Sequence, residues 1–228
     1  MWRDETGRSL ADYPHPSVAV DVALLTVVDG ALHVALHRRA GHAAGELALP
    51  GTFVRIDETL AAAALRALRE HLGVSGRSPE QLRVFDDPAR DDRGRVLAVA
   101  HVDLVDAEML PTGTETAAVD RCPTLAFDHD AMVAAAAEHV RARHRRGPDP
   151  AGLLGRAFTL AELQGLHEAV LGGPLPKDTF RRHVLAHLEP TGEVRTGTVG
   201  KPARLYRRTA PGVRTNAHGH QPSRRGTH

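Results

Sequence analysis

Residues 49–74 read LPGTFVRIDETLAAAALRALREHLGV, and the stretch changes character at Asp57. Its first part carries proline, glycine and β-branched residues, the composition of strand and loop. Its second part is rich in alanine and leucine, the best helix formers. Leu60, Ala64, Leu68 and Leu72 recur every four residues as one buried stripe. Asp57 is the predicted cap of this helix and Gly73 its predicted stop. The loop and helix together carry Glu58, Arg66, Glu70 and His71, which makes the segment the first candidate site.

Working outward, Val18–Val28 is rich in β-branched residues and ends at Asp29-Gly30, a strong hairpin signal. In the strand that follows, Leu32, Val34 and Leu36 alternate with His33, Ala35 and His37. The first set is predicted to face inward and the two histidines to lie on the surface. Further strands are predicted at Gln81–Phe85 and Val96–Val105, the latter preceded by the charged turn DDPARDDRGR, and a helix at Asp130–Arg143.

The chain has 228 residues, enough for one large domain or two small ones. With 42% hydrophobic and 25% charged residues it is of ordinary globular composition, which excludes wholesale disorder and fibrous repeats. The apolar run Val22–Val28 falls far short of the roughly 18 to 20 residues of a membrane span, and MWRDETGRSL has no apolar signal core. A soluble, cytoplasmic protein is expected. Cys122 is the one cysteine, which excludes an internal disulfide framework and multi-cysteine zinc sites. The net charge of +1 conceals an asymmetry. Residues 1–144 hold 15 Lys and Arg against 22 Asp and Glu, whereas residues 145–228 hold 14 against 6. A basic end on an acidic body points to a polyanionic partner, above all nucleic acid.

The sign changes at RHRRGPDPAGLLGR, which reads as a linker near residues 145–156. Beyond it, Thr159 and Glu162 have capping-box spacing and open a helix through about Leu171, with Leu160, Leu163 and Leu166 inward. After the turn Gly172-Gly173-Pro174, Pro176 starts a second helix whose stripe is Phe180, Val184 and Leu188. Two helices on a tight turn suggest a helix-turn-helix. Lys177, Asp178, Thr179, Arg181 and Arg182 fall away from the apolar stripe, on a face able to enter a major groove. GEVRTGTVGKPARLYRR reads as a two-stranded wing placing Arg195, Lys201 and Arg204 for phosphates or the minor groove. Residues 210–228 lack periodicity and are expected to be a disordered, histidine-containing tail.

Residues 52–74 resemble the Nudix box, in which a glycine, five residues, Glu and seven residues precede Arg-Glu-aliphatic-x-Glu-Glu-x-Gly-aliphatic. Glu58, Arg66, Leu68, Glu70, Gly73 and Val74 fit that pattern; Thr52, Ala67 and His71 depart from it. Together with FTLAELQGLHEAVLGGPLPKDTFRRHVL, TGTVGKPARLYRR and PTLAFDHDAM, the chain resembles the Nudix-related transcriptional regulators of NAD metabolism, NrtR type. The resemblance implies an α+β Nudix sandwich with a mixed sheet, followed by a winged helix-turn-helix. The expected division is a lead-in at 1–16, a Nudix-like effector-sensing domain at 17–146, a DNA-binding domain at 147–209 and the tail at 210–228. It further implies a homodimeric repressor that binds a palindromic operator in double-stranded DNA and senses ADP-ribose or a related NAD metabolite.

Glu58 and Arg66 then brace the box, and Glu70 is the remaining carboxylate of the metal cluster. One carboxylate makes a poor cage for Mg²⁺, and His71 prefers softer metals, so hydrolysis is expected to be absent or vestigial and no cofactor is required. Arg38, Arg39 and Arg55 can pair with a diphosphate, and Phe53, Glu70 and His71 complete the expected ligand site. The alternatives are a Nudix pyrophosphohydrolase acting on ADP-ribose with an accessory nucleic-acid-binding module, and an RNA- or protein-binding adaptor. Related regulators of sugar utilisation offer a second regulon.

Overall fold

The computed structural model describes residues 2–196 and 202–209. Lys201 and the tail at 210–228 lie outside the described residues. The fold begins with β1 (Ser17–Val28) and β2 (Ala31–Arg38), joined through Asp29 and Gly30 at φ 49° and 73°. Val28 pairs with Ala31, as a two-residue hairpin with two left-handed turn residues requires. There follow β3 (Leu47–Ala48), β4 (Gly51–Phe53), α1 (Leu60–Leu72), β5 (Glu80–Phe85), β6 (Val96–Val105), β7 (Glu115–Ala118) and α2 (His129–Arg146). One mixed sheet runs in the order β3-β2-β1-β6-β5, with β4 beside β1 and β7 beside β2. β1 and β6 are parallel and the other pairs antiparallel.

Each face of this sheet carries its own helical layer. Val20, Val22, Leu24 and Ala35 pack with Ala63, Ala64 and Leu68 of α1, while Ala23, Leu25, Val34 and Leu36 pack with Met132, Val133 and Ala136 of α2. Alternation in β2 therefore separates two apolar layers rather than core from solvent. This corrects the surface assignment of His33 and His37, both of which are half-buried. The cap of α1 is also corrected: Thr59 Oγ1, not Asp57, accepts the Ala62 N–H at 3.1 Å. Gly73 ends the helix at φ 68° as expected.

The second region comprises β8 (Phe158–Thr159), α3 (Leu160–Leu171), α4 (Lys177–Leu185), β9 (Leu188–Arg195) and β10 (Ala203–Arg208). Thr159 and Glu162 form the expected capping box. The wing has three strands, in the order β8-β10-β9, rather than two. Leu188 is buried but opens β9 instead of ending α4, because Phe158, Leu163, Phe180, Val184, Leu188 and Tyr206 close a small core across helix and sheet. No helix among the described residues is long and apolar enough to cross a membrane.

The two regions share helices. Leu166 and Val170 of α3 join the core beneath α2, and Arg141 Nε donates to Val170 O at 3.0 Å. Burial on both sides makes α3 a member of two cores at once.

Candidate functional site

A cleft of about 290 Å³ opens where β1, β2, β4 and α1 meet the loop before β6 and the start of α2. Asp21, His37, Arg39, Gly51, Phe53, His71, Arg90, Asp91, Arg93, Phe127 and His129 are among its lining residues. Gly51 is required there: a Cβ would stand 1.9 Å from Asp21 Oδ1. At the floor, His129 Nδ1 accepts the Leu49 N–H at 3.0 Å, which leaves the ring proton on Nε2, 3.4 Å from Asp21 Oδ1. Arg90, almost fully buried, forms paired bonds of 2.9 and 2.6 Å with Asp128 at the start of α2.

Arg66 builds the wall. It donates to Glu58 Oε1 and Oε2 at 2.9 and 2.8 Å, to Phe53 O at 2.9 Å and to Thr52 Oγ1 at 2.8 Å. One guanidinium thus ties loop, strand and helix together, and it holds the Glu58 carboxyl down to about 2. Glu58 and Arg66, the pair expected to brace the box, are thus bonded to one another between loop and helix.

Of the expected ligand residues, Arg39, Phe53 and His71 line the cleft. The other three do not. Arg38 turns toward β7, pairing with Glu115 at 2.7 Å. Arg55 is exposed in the loop and contributes its backbone N–H to Glu58 at 3.3 Å. Glu70 lies 3.4 Å from Arg66 and is half-exposed, away from the cleft lining. As a metal ligand Glu70 has no company: no group of three or more His, Cys, Asp or Glu able to hold a metal occurs among the described residues. With alanine at position 67 and a histidine at 71, the donors do not fit Mg²⁺.

Sequence reasoning missed His37, Arg90, Asp91, Arg93, Phe127 and His129. His37 stacks on His71 with centroids 4.1 Å apart, and burial followed by that neighbour lowers its pKa. Asp91 and Arg93 form a bidentate pair at 2.9 and 2.7 Å that holds the Asp91 carboxyl to about 2. Apart from His37 in β2, the missed residues sit in DDPARDDRGR and PTLAFDHDAM, whose irregular backbone gives no periodic signal.

A second concavity lies in the basic region, lined by Thr159, Ala161, Gln164 and Glu168 of the α3 side, Lys177 and Arg181 of α4, and Arg204 and Tyr206 of β10. Lys177, Asp178, Thr179, Arg181, Arg182 and Arg204 are exposed. Arg195 is not free for phosphate as expected, because its guanidinium is paired with Glu162. The turn before α4 is fixed by Glu168, which accepts from Leu175 N–H and Gln164 Nε2, each at 2.9 Å. Those bonds set the angle at which the cationic helix leaves the turn.

The NUDIX domain matches residues 15–143, and the NrtR DNA-binding winged helix domain matches residues 150–208. The chain is 32% identical over 211 residues to a protein of Acinetobacter baylyi named ADPR responsive transcriptional repressor NtrR, covering 86% of this chain and 84% of that one. The chain belongs to the NrtR family. Among solved NrtR structures, that of Shewanella oneidensis complexed with a 27mer DNA superposes with a TM-score of 0.70 at 32% identity, over 84% of this chain and 93% of that chain. The NUDIX domain of the same NrtR complexed with ADP ribose gives 0.51 at 28% identity, over 59% of this chain and 95% of that one. A Nudix domain with a mixed sheet followed by a winged helix is thus the NrtR architecture of this chain.

Proposed function

We propose that this protein is a DNA-binding transcriptional repressor whose Nudix domain senses ADP-ribose or a related NAD metabolite without hydrolysing it. The observation that carries the reading is a single helix that starts in the cleft and ends against α3, the helix that lines the basic concavity. α2 starts at His129 in the floor of the cleft and reaches, at its far end, His144 against α3. Ligand binding that repositions the start of α2 is felt by the helix pair that presents Lys177 and Arg181. By linkage, the effector weakens DNA binding by the factor that DNA weakens effector binding. The relatives described with DNA and with ADP ribose support both partners.

A homodimer on a palindromic operator follows from the same reading, since two-fold protein symmetry matches two half-sites. The setting is the cytoplasm and the regulon NAD biosynthesis or salvage, with sugar utilisation as the alternative. A mobility-shift titration on NAD-related promoters, with and without ADP-ribose, tests the proposal. Specific retardation relieved by ADP-ribose is expected; no retardation on any such promoter rejects it. Because Glu70 keeps its place in the box, residual hydrolysis is the second reading. Turnover of ADP-ribose with Mg²⁺ or Mn²⁺ that disappears in Glu70→Gln would establish it.

A further inference from the structure

We propose that His144 and His167 are positioning residues for α4, forming a two-position joint through which the state of the Nudix domain reaches the cations on that helix. The two imidazoles meet edge-on with centroids 5.3 Å apart, one on α2 and the other on α3. His167 in turn meets the Phe180 ring of α4 edge-on, at 5.1 Å. Ring contacts thus join three successive helices. Phe180 lies between Lys177 and Arg181 in sequence, so its seat on His167 helps fix where both cations stand in the basic concavity.

The chemistry of the pair makes the joint movable. Both rings are almost fully buried, at 1% and 3% exposure, and the Nε2 atom of each lacks a hydrogen-bond partner among the described residues. His144 Nδ1 donates to Val140 O at 3.0 Å, which leaves its Nε2 with a bare lone pair. A leucine would fill such a place without forfeiting a hydrogen bond, and a buried polar atom left unpaired favours any arrangement that lets water reach it. Water is at hand. A cavity of about 330 Å³ lies against His144, between β6, α2 and Pro150 and Ala151 of the segment that enters the winged helix, yet His144 Nε2 is closed off from it. One turn earlier on α2, Arg141 donates to Val170 O near the end of α3 at 3.0 Å and is itself held by Asp120 at 2.7 Å. Arg141 is the pivot about which a small slide of α3 admits water to the histidines. A dry and a hydrated packing therefore lie close in free energy, and a shift at the start of α2 selects between them.

The joint deepens the repressor reading given above and rests on it. The test measures DNA affinity of the full chain with and without ADP-ribose, on a promoter duplex, for the wild type, His144→Leu, His167→Leu and His167→Gln. Leucine removes the orphan nitrogen and holds the dry packing, so the effect of ADP-ribose on DNA affinity shrinks to about twofold or less, at an unchanged or raised melting temperature. Glutamine keeps a polar group for water to satisfy, so His167→Gln retains the response. Leucine variants that fold and respond to ADP-ribose as fully as the wild type overturn the joint, as does a glutamine variant that loses the response. Where the leucine variants do not fold, hydrogen exchange of the wild type decides: ADP-ribose must change the protection of the amides at residues 166–171, and unchanged protection overturns the joint. Wild-type DNA binding that is absent, or indifferent to ADP-ribose, overturns the repressor reading and the joint with it; a responsive wild type with equally responsive leucine variants overturns the joint alone.

Discussion

Arg208, in the last strand, reaches back to the fully buried carboxylate of Asp149, in the segment that enters the winged helix. The same carboxylate accepts from Leu153 N–H at 2.8 Å and Leu154 N–H at 2.9 Å, and Arg208 also donates to Leu154 O at 3.1 Å. The glycine- and proline-rich stretch is therefore clamped from both sides. Asp149→Ala leaves a half-buried guanidinium and two N–H groups without their acceptor, and a loss of about 2 kcal/mol is expected from the unsatisfied N–H groups. Denaturant titration reads the loss, and limited proteolysis should open between Gly147 and Gly155. Asp178→Ala, at an exposed position, is the comparison; equal behaviour of the two variants refutes the clamp.

Two histidines at the junction make stability depend on pH. His144 and His167 meet edge-on, with centroids 5.3 Å apart, and the Nε2 atoms of both are buried without a hydrogen-bond partner among the described residues. Burial, then the neighbouring His144, pushes His167 from an ordinary 6.5 down to about 4. The unfolded chain accordingly binds more protons between those values, and stability is lost as pH falls from about 6.5 toward 4. Thermal melts of wild type and His167→Gln should converge as the pH is lowered through this window. Parallel melting curves would remove the histidine from the account.

How much of this was legible in the sequence depended on how each feature is encoded. Periodic signals carried through: the Asp29-Gly30 hairpin, the Thr159–Glu162 box and the stripe of α1 all stand where spacing placed them. The pair Glu58 and Arg66, eight residues apart, was readable only through the resemblance to the Nudix box. The rest of the cleft depends on long-range juxtaposition. His37 looked exposed because a strand covered on both faces shows the same alternation as one half in water. Arg38 and Arg39 are adjacent in sequence, yet Arg38 at the end of β2 meets Glu115 while Arg39, just beyond the strand, lines the cleft.

Arg66 is the residue on which the cleft wall turns. Its five N–H groups reach Glu58, Thr52, Phe53 and Glu70 in a fixed fork, which a single ammonium cannot reproduce. Arg66→Lys is therefore expected to lower effector affinity about tenfold or more, with the loop at residues 52–58 gaining hydrogen-exchange rate. DNA affinity without effector should change little, because among the described residues the basic groove shares no lining residue with the cleft. A lysine variant with wild-type effector binding would show that charge alone suffices.

The basic groove separates reading from holding. Arg181 stands on the exposed side of α4, the helix whose exit angle is fixed through Glu168 and Gln164, whereas Arg204 stands on β10 of the wing. A side chain on a helix in the major groove meets base edges, and Arg pairs bidentately with guanine, so its loss is selective. Arg181→Ala should cost about 1 to 3 kcal/mol on the operator and much less on unrelated DNA, narrowing the ratio between them. A wing cation instead meets phosphate, which every sequence offers alike, and each phosphate contact releases counterions. Arg204→Ala should weaken operator and random duplex by the same factor and reduce the salt slope by about one. The measurement is a pair of binding isotherms for each variant across a salt series. If Arg181→Ala lowers both duplexes equally, α4 is holding DNA rather than reading it, and the recognition element has to be sought elsewhere in the groove.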